Sequence, residues 1–486
     1  MDKNIKWPSL WKLVEEKQFL YLDYLFAEKV CPKGSETEAH FVASLMAFSR
    51  KGHICMPAEE GAQTYPSLIC QCENNFYLQK NYSFETTVLQ QIQRLLSYPS
   101  KTVAEPLGIM TDEQKEAVKK ALQYPLSLIT GGPGTGKSYT ALQLMAAYQK
   151  NRIVVCAPTG KAVRLLESKS AQPSVRSGTL HTILNIRSPL DFAKQVEPLE
   201  ADLVIVDECS MIDAALFARL LSAIGPTTHL VLMGDHDQLP AIESGSFFAD
   251  LISAAERGYP LPLTRLTRCL RSEHQSLLKT ARAVQQGQDH FPYDPHLPNF
   301  EALWRQINDH FPMPSATKPD HDLLLKQRDH FRILSAMRKG AHGVDTINEA
   351  IVERILSLKK ADDYCPLPII ITRNDTQTGL CNGETGFLIN NTAVFDSGRI
   401  FPKQQLPPFE YAYCLSVHKS QGSEYDHVLL LIPEGSDFFG RELLYTAVTR
   451  ARKSLKIYAS QEMVRTTLSQ SSRKLSGLTD RVLKMQ

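Results

Sequence analysis

The sequence predicts an α/β chain built on two parallel sheets, each covered by helices on both faces. Short apolar runs, Leu126–Ile129, Arg152–Cys156, Leu203–Val206 and His229–Met233, alternate with helical stretches, the pattern of strands buried on both sides. A second series, Phe331–Leu334, Pro368–Ile371, Tyr413–Ser416, His427–Ile432 and Ser454–Tyr458, repeats the alternation nearer the C-terminus. Between the first two elements lies Gly131-Gly132-Pro133-Gly134-Thr135-Gly136-Lys137-Ser138, which fits the phosphate-cradling loop G-x-x-x-x-G-K-[ST]. A strand, Leu126 to Thr130, enters that loop and a helix, Tyr139 to Gln149, leaves it. Two such blocks and one such loop predict a single nucleotide gripped between two domains.

A length of 486 residues predicts about three domains. Residues 1–105 read as a small helical unit for partner docking, with Phe19, Leu20, Leu22, Leu25, Phe26 and Val30 on one face and Phe41, Leu45 and Phe48 on another. Residues 106–262 form the first parallel-sheet block, set off by Pro106-Leu107-Gly108. Residues 263–486 form the second, with a Pro-, Asp- and His-rich surface insertion at about 287–330 and a small β insertion at about 375–412. The insertion's histidines (His290, His296, His310, His321, His330) match no metal spacing, and neither do Cys70 and Cys72, the one close pair among ten cysteines. A net charge of +2 excludes a globally basic chain, so any nucleic-acid contact must come from a local track. No apolar run is long enough to span a bilayer, and Met1 to Trp7 lacks a signal-peptide core; the expected location is cytoplasmic.

The loop's glycines let successive N–H groups face a triphosphate; Lys137 would reach the β- and γ-phosphates and Ser138 would hold Mg²⁺. Leu203–Val206 ends in Asp207 and Glu208, about 70 residues downstream of the loop. Opposite such a loop, Asp207 would hold the metal ion through water and Glu208 would orient or deprotonate the attacking water. Gln238, after the next strand, is placed to hydrogen-bond the γ-phosphate and report its presence. Gln114 suits the adenine edge, or a capping box with Thr111. From the second block, Arg450, on an expected helix, and Arg271 are placed to stabilise charge on the transferred phosphoryl group. Phe247, Phe248, Tyr411 and Tyr413 read as core residues before base-stacking platforms.

The loop, Ala157–Ala162, Thr179–Thr182, Val206–Glu208, Gly234–Pro240, Ser416–Glu424 and Tyr445–Arg452 occur in the order found in superfamily 1 helicases. With Ile371–Asp375 and Asn382–Glu384, their wording resembles the RecD family, the α subunits of exodeoxyribonuclease V, from Thr111 to about Tyr458. The N-terminal part, with Gly52–Cys55, is similar more loosely. The resemblance implies two RecA-like P-loop NTPase-type domains, a helical N-terminal domain and a small β insertion. It implies ATP- and Mg²⁺-dependent 5′→3′ movement on single-stranded DNA and duplex unwinding, beside RecB-like and RecC-like subunits, with the nuclease in a partner. Carried over by residue, Gln114, Gly131 to Ser138, Asp207, Glu208, Gln238, Arg271 and Arg450 form the ATP site, and Glu424 contacts the ribose. Thr159, His181, His418, Lys419 and Ser420 line the DNA strand. Ser272 departs from the family's Gln after the arginine, which leaves Arg268 as an alternative to Arg271. The short N-terminus favours the complex-subunit type over the stand-alone helicases. Two further readings stay open: a nucleotide-gated regulatory subunit, and an RNA helicase of the same superfamily.

Overall fold

The computed structural model describes residues 5–100, 108–148, 152–167, 175–269, 275–375, 377–395 and 398–485. Its largest sheet is six-stranded and wholly parallel, in the order Val175–Thr179, Ile153–Ala157, Leu203–Val206, His229–Gly234, Leu126–Gly131, Leu263–Leu266. The central strands are apolar on both faces because helices cover both, which is why they read as unbroken Val/Ile/Leu runs. The second parallel sheet has four strands, Cys414–Ser416, Phe331–Ser335, Tyr425–Ile432 and Ala451–Ala459.

Pairing moves several expected boundaries. Leu263–Leu266 hydrogen-bonds alongside Leu126–Gly131, so the first sheet extends past residue 262. Pro366–Ile371, which has the apolar content of a buried parallel strand, instead lies in a five-stranded antiparallel sheet, between Thr385–Ile389 and Phe409–Tyr411. The β insertion therefore begins at Pro366, ahead of residue 375. Residues 287–330 are more than a surface insertion: the helix Phe300–His310 buries Leu303, Trp304 and Ile307 in the core beneath the second sheet. Asp309 is exposed, while His310 follows the buried stripe and stacks on the core residue Phe331 at 4.5 Å, so polar residue types obscure an apolar spacing.

The N-terminal unit is helical but also carries a three-stranded antiparallel sheet, Met56–Pro57, Asn75–Leu78 and Ile69–Cys72. Phe41 and Leu45 are buried as expected, whereas Leu20 and Leu22 are 48% and 52% exposed. The helix Tyr21–Val30 turns Tyr24, Ala27 and Val30 inward; a 3.6-residue repeat leaves Leu22 off that stripe, and Leu20 is the extended N-cap residue ahead of the first turn. The long helix Gln79–Leu96 shares its core with the first block, and Arg94 donates to the carbonyls of Leu221 and Ile224 at 3.3 and 2.8 Å. All ten cysteines are free. No helix among the described residues is long and apolar enough to cross a membrane.

The C-terminal segment leaves the second block and returns to the first. Leu478 and Val482 enter the first block's core, Arg481 pairs with the buried Glu85 at 2.9 Å, and the Leu475 carbonyl accepts from the Ile54 N–H at 2.8 Å. Ser476 donates to Asp250 at 2.7 Å. Desolvation raises the Asp250 carboxyl to about 7. The unfolded chain releases that proton near pH 4, so this group's contribution to stability falls as pH rises from about 4 to 7. Asp250→Asn keeps an acceptor for Ser476 and removes the ionisation. Calorimetry should show a gain in Tm that is larger at pH 8 than at pH 5; an equal gain at both would contradict the assignment.

Candidate active site

The phosphate loop crosses from the strand Leu126–Gly131 to the helix Lys137–Ala147. Gly134 and Gly136 adopt φ of 73° and 88°, a region that side chains disfavour, and this turn aims the loop's N–H groups inward. Gly131 is close-packed as well: a Cβ there would lie 2.7 Å from the Leu266 carbonyl. Lys137 folds back on its own loop, with Nζ donating to the Gly131 and Gly132 carbonyls at 2.6 and 3.2 Å. Gln114 forms the capping box: its Oε1 accepts from the Thr111 N–H at 3.0 Å and its own N–H reaches Thr111 Oγ1 at 3.3 Å. Its Nε2 faces the loop, 3.5 Å from the Thr135 carbonyl. The capping box is formed, and Gln114 is 1% exposed.

Asp207 and Glu208 follow the strand Leu203–Val206, and Glu208 adopts a left-handed φ of 55°. Asp207 Oδ1 accepts from the Glu208 N–H at 2.8 Å. Burial raises both carboxyls. For Asp207, Lys137 opposes that shift; for Glu208, the Asp207 charge adds to it and brings the group to about 7, with Arg450 opposing. Glu208 Oε2 is buried with no hydrogen-bond partner, and so is Gln238 Oε1. Gln238 Nε2 donates to Asp235 Oδ2 at 3.1 Å, and Tyr445 of the second block donates to the same oxygen at 3.0 Å.

Arg450 lies just past the helix Gly440–Val448, in the turn before Ala451–Ala459, and is 3% exposed. It donates to the Thr446 and Ser423 carbonyls at 2.9 and 3.1 Å and to Thr449 Oγ1 at 3.0 Å, and it pairs with no carboxylate among the described residues. A buried guanidinium held only by neutral acceptors can take up an anion. Glu424 follows Ser423 at the same seam, half-buried. Arg271 and Ser272 lie outside the described residues. Arg268 is exposed, and its N–H donates to Glu113 at 3.2 Å.

The site's chemistry suits a nucleotide with a divalent cation. The loop N–H groups and Lys137 supply donors for phosphate, Ser138 and Asp207 would hold Mg²⁺, and the two orphaned oxygens call for water or metal-bound water. Asp235, His236 and Asp237 form the one metal-capable group among the described residues, but Arg473 at 3.4 Å and Gln285 at 2.8 Å already engage Asp237.

The expected DNA residues fare unequally. A Cβ on Gly422 would lie 3.5 Å from Thr159 Oγ1, so Thr159 faces the second block across the seam. His181 is exposed. Burial, with help from Lys474, lowers His418 to about 4, so it is neutral near pH 7 and packs edge-on against Phe439 at 5.4 Å. Lys419 pairs with Glu410 at 2.7 Å. Ser420 corrects the sequence reading. It is 0% exposed, and its hydroxyl and N–H both donate to the Val417 carbonyl, at 2.7 and 3.2 Å, so it shapes the turn and offers no surface to a strand. Phe247, Phe248 and Tyr413 are core residues, and Tyr411 is half-buried. Sequence reasoning missed Asp235 and Tyr445, although both lie inside motifs it had singled out.

Residues 114–244 match the model of an AAA domain, and residues 411–458 match that of the UvrD-like helicase C-terminal domain. The RecBCD enzyme subunit RecD of Mycolicibacterium smegmatis is 30% identical over 84% of this chain and 82% of that protein. The chain belongs to the RecD family. The Haemophilus influenzae RecD is 29% identical over 76% of the chain and 72% of its own length. The ATP-dependent RecD2 DNA helicase of Deinococcus radiodurans is 30% identical over 71% of the chain but 48% of its own length. Among solved structures, Pif1 helicase from Bacteroides with ADP-AlF3 and single-stranded DNA aligns with a TM-score of 0.46 at 18% identity, over 74% of this chain and 94% of that one.

Membership of the RecD family and the geometry of the loop set an expectation for two variants. Lys137→Ala should abolish tight nucleotide binding in a fluorescent-nucleotide titration. Glu208→Gln should keep binding while turnover falls by about 10²–10⁴-fold. Retained turnover in Glu208→Gln would remove it as the base.

Proposed function

We propose that this chain is an ATP-dependent DNA helicase, moving 5′→3′ on single-stranded DNA as the RecD-type subunit of an exodeoxyribonuclease V with RecB-like and RecC-like partners. The observation that supports it best is that one cleft collects Lys137, Asp207, Glu208 and Gln238 from the first sheet and Arg450 from the second. Lys137 exchanges its two loop carbonyls for phosphate oxygens when nucleotide enters. Glu208, with its raised pKa, accepts a proton from the attacking water. Ser138 and Asp207 would hold a Mg²⁺, which would supply neutralisation of the phosphates' charge. Arg450 brings positive charge from the opposite block, so hydrolysis and closure of the seam depend on each other.

Linking chemistry to that seam turns a hydrolytic cycle into relative motion of two strand-gripping surfaces. Thr159 on the first block faces Gly422 on the second, and ion pairs Lys161–Asp329, at 3.8 Å, and Arg164–Glu384 span the same line. The expected adenine contact of Gln114, the ribose contact of Glu424 and the strand contacts of Thr159, His181, His418 and Lys419 belong to this proposal, as do the cytoplasmic setting and the docking role of the N-terminal unit.

Strand displacement with ATP and Mg²⁺ should release duplexes carrying a 5′ single-stranded DNA tail and leave those carrying a 3′ tail intact. Release from the 3′ tail alone would contradict the polarity. Equal release from an RNA tail would contradict the DNA preference.

A further inference from the structure

After the helix Gln461–Ser469 the chain returns from the second block to the first, and both ends of this return are pinned. On the second block, Glu442, 2% exposed, accepts from the Ser471 hydroxyl at 2.7 Å and from the Ser472 N–H at 2.8 Å. The Gln470 carbonyl accepts from the Arg441 N–H at 3.0 Å. Gly440, at φ 64°, allows that approach: a Cβ there would lie 2.8 Å from the Ser472 nitrogen. On the far side, the Lys474 N–H donates to Ser246 Oγ at 3.3 Å and the Leu475 N–H to His53 Nδ1 at 2.9 Å. The Gly477 N–H and Arg481 then both donate to the buried Glu85, at 3.0 and 2.9 Å.

These bonds leave almost no free length. A single residue, Arg473, separates the N–H bonded to Glu442 from the N–H bonded to Ser246. A chain spans at most about 3.6 Å per residue, so residues 472 and 474 part by no more than about 7 Å unless a bond breaks. Arg473 itself reaches Asp237 at 3.4 Å, on the turn that follows the strand His229–Gly234. The chain makes its outward crossing elsewhere, between Leu266 in the first sheet and the helix Gln275–Gln285, whose Val284 lies in the second block's core. A body joined to another at one crossing turns in any direction. Joined at two, it turns about the line between them.

We propose that residues 470–485 are a taut strap that stays attached when the seam parts, and so makes the rim beside Asp237 the pivot of the two blocks. The inference rests on the helicase reading above and adds to it the axis of the motion. Glu442 opens the helix Gly440–Val448, which leads to Arg450, so the strap fixes the near end of the element that brings the arginine into the cleft. With the pivot fixed, release of Arg450 from spent nucleotide becomes a rotation of one block on the other. With a slack strap, hydrolysis continues, but the blocks part without a set direction and the step on DNA is lost.

The test uses the full chain with ATP, Mg²⁺ and a duplex carrying a 5′ single-stranded DNA tail. A four-residue Gly-Ser insertion between Arg473 and Lys474 lies between the anchors and adds about 14 Å of reach. The same insertion between Ser469 and Gln470 lies outside them and leaves the anchored length unchanged. The first variant should keep kcat for ATP within about twofold of the parent, while duplex released per ATP falls about tenfold. The second should match the parent in both. Equal release per ATP in the two variants, or a kcat that falls in step with release, would overturn the proposal. If the first insertion fails to fold, as judged by its melting transition, Ser471→Ala with Ser472→Ala removes both hydroxyl donors to Glu442. That pair should lower release per ATP at unchanged kcat, and unaltered release would overturn the strap. A parent chain that releases no duplex removes the helicase reading and this inference together, whereas an active parent with matching variants removes only the inference.

Discussion

Leu239 engages both of its backbone groups across the line between the two parallel sheets. Its N–H donates to Thr446 Oγ1 at 2.8 Å, and its carbonyl accepts from Gln421 Nε2 at 2.9 Å. All these atoms are buried, and Leu239's side chain sits in the core of the second block. Buried backbone groups left unpaired cost about 1–3 kcal/mol each, so this clasp resists partial loosening and favours the seam as wholly closed or wholly parted. The rest of the site hangs from it. Residues on either side of Leu239 in the first block include Gln238 and Asp235; residues next to Thr446 and Gln421 in the second include Tyr445, Arg450 and Ser423.

Charges inside that seam are held by neutral partners. Lys137 lies on glycine carbonyls and Arg450 on two carbonyls and a hydroxyl. Each is a cation parked on acceptors that an anionic oxygen outcompetes, since charge-assisted hydrogen bonds are roughly twice as strong as neutral ones. On the acidic side, burial raises Asp207, Glu208 and Asp235 together. The site is therefore electrostatically incomplete on both sides, and a phosphate chain with its cation satisfies both. On the function proposed above, this complementarity, more than any single contact, couples nucleotide binding to seam closure.

The phosphate loop and the acid pair were legible in the sequence because their chemistry depends on local order: a strand, a turn and a helix in succession. Gln238 and Arg450 were legible through motif order, which also carried the resemblance to the RecD family. What escaped reading depends on pairing between distant segments. Leu263–Leu266 joins the first sheet because of a neighbour more than a hundred residues earlier, and its own apolar pattern says nothing of which sheet it enters. Pro366–Ile371 has the composition of a buried parallel strand yet pairs antiparallel with its neighbours. The C-terminal return to Glu85 and Ile54 rests on one short helix whose two buried residues, Leu478 and Val482, are too few to make a periodic pattern, and on an ion pair and backbone bonds to distant segments. Ser420 reads as a strand contact by motif, and only the local turn reveals that both its donors point at Val417.

The central claim is that hydrolysis is completed by a charge from the second block. The most direct measurement is single-turnover ATP hydrolysis by Arg450→Ala beside a nucleotide-binding titration of the same variant. Binding should stay within a few-fold of the parent, because the phosphate loop belongs to the first block, while turnover falls by about 10³-fold or more. Turnover within tenfold of the parent would mean that the second block does not take part in the chemistry, and the two-sheet account of the site would be wrong.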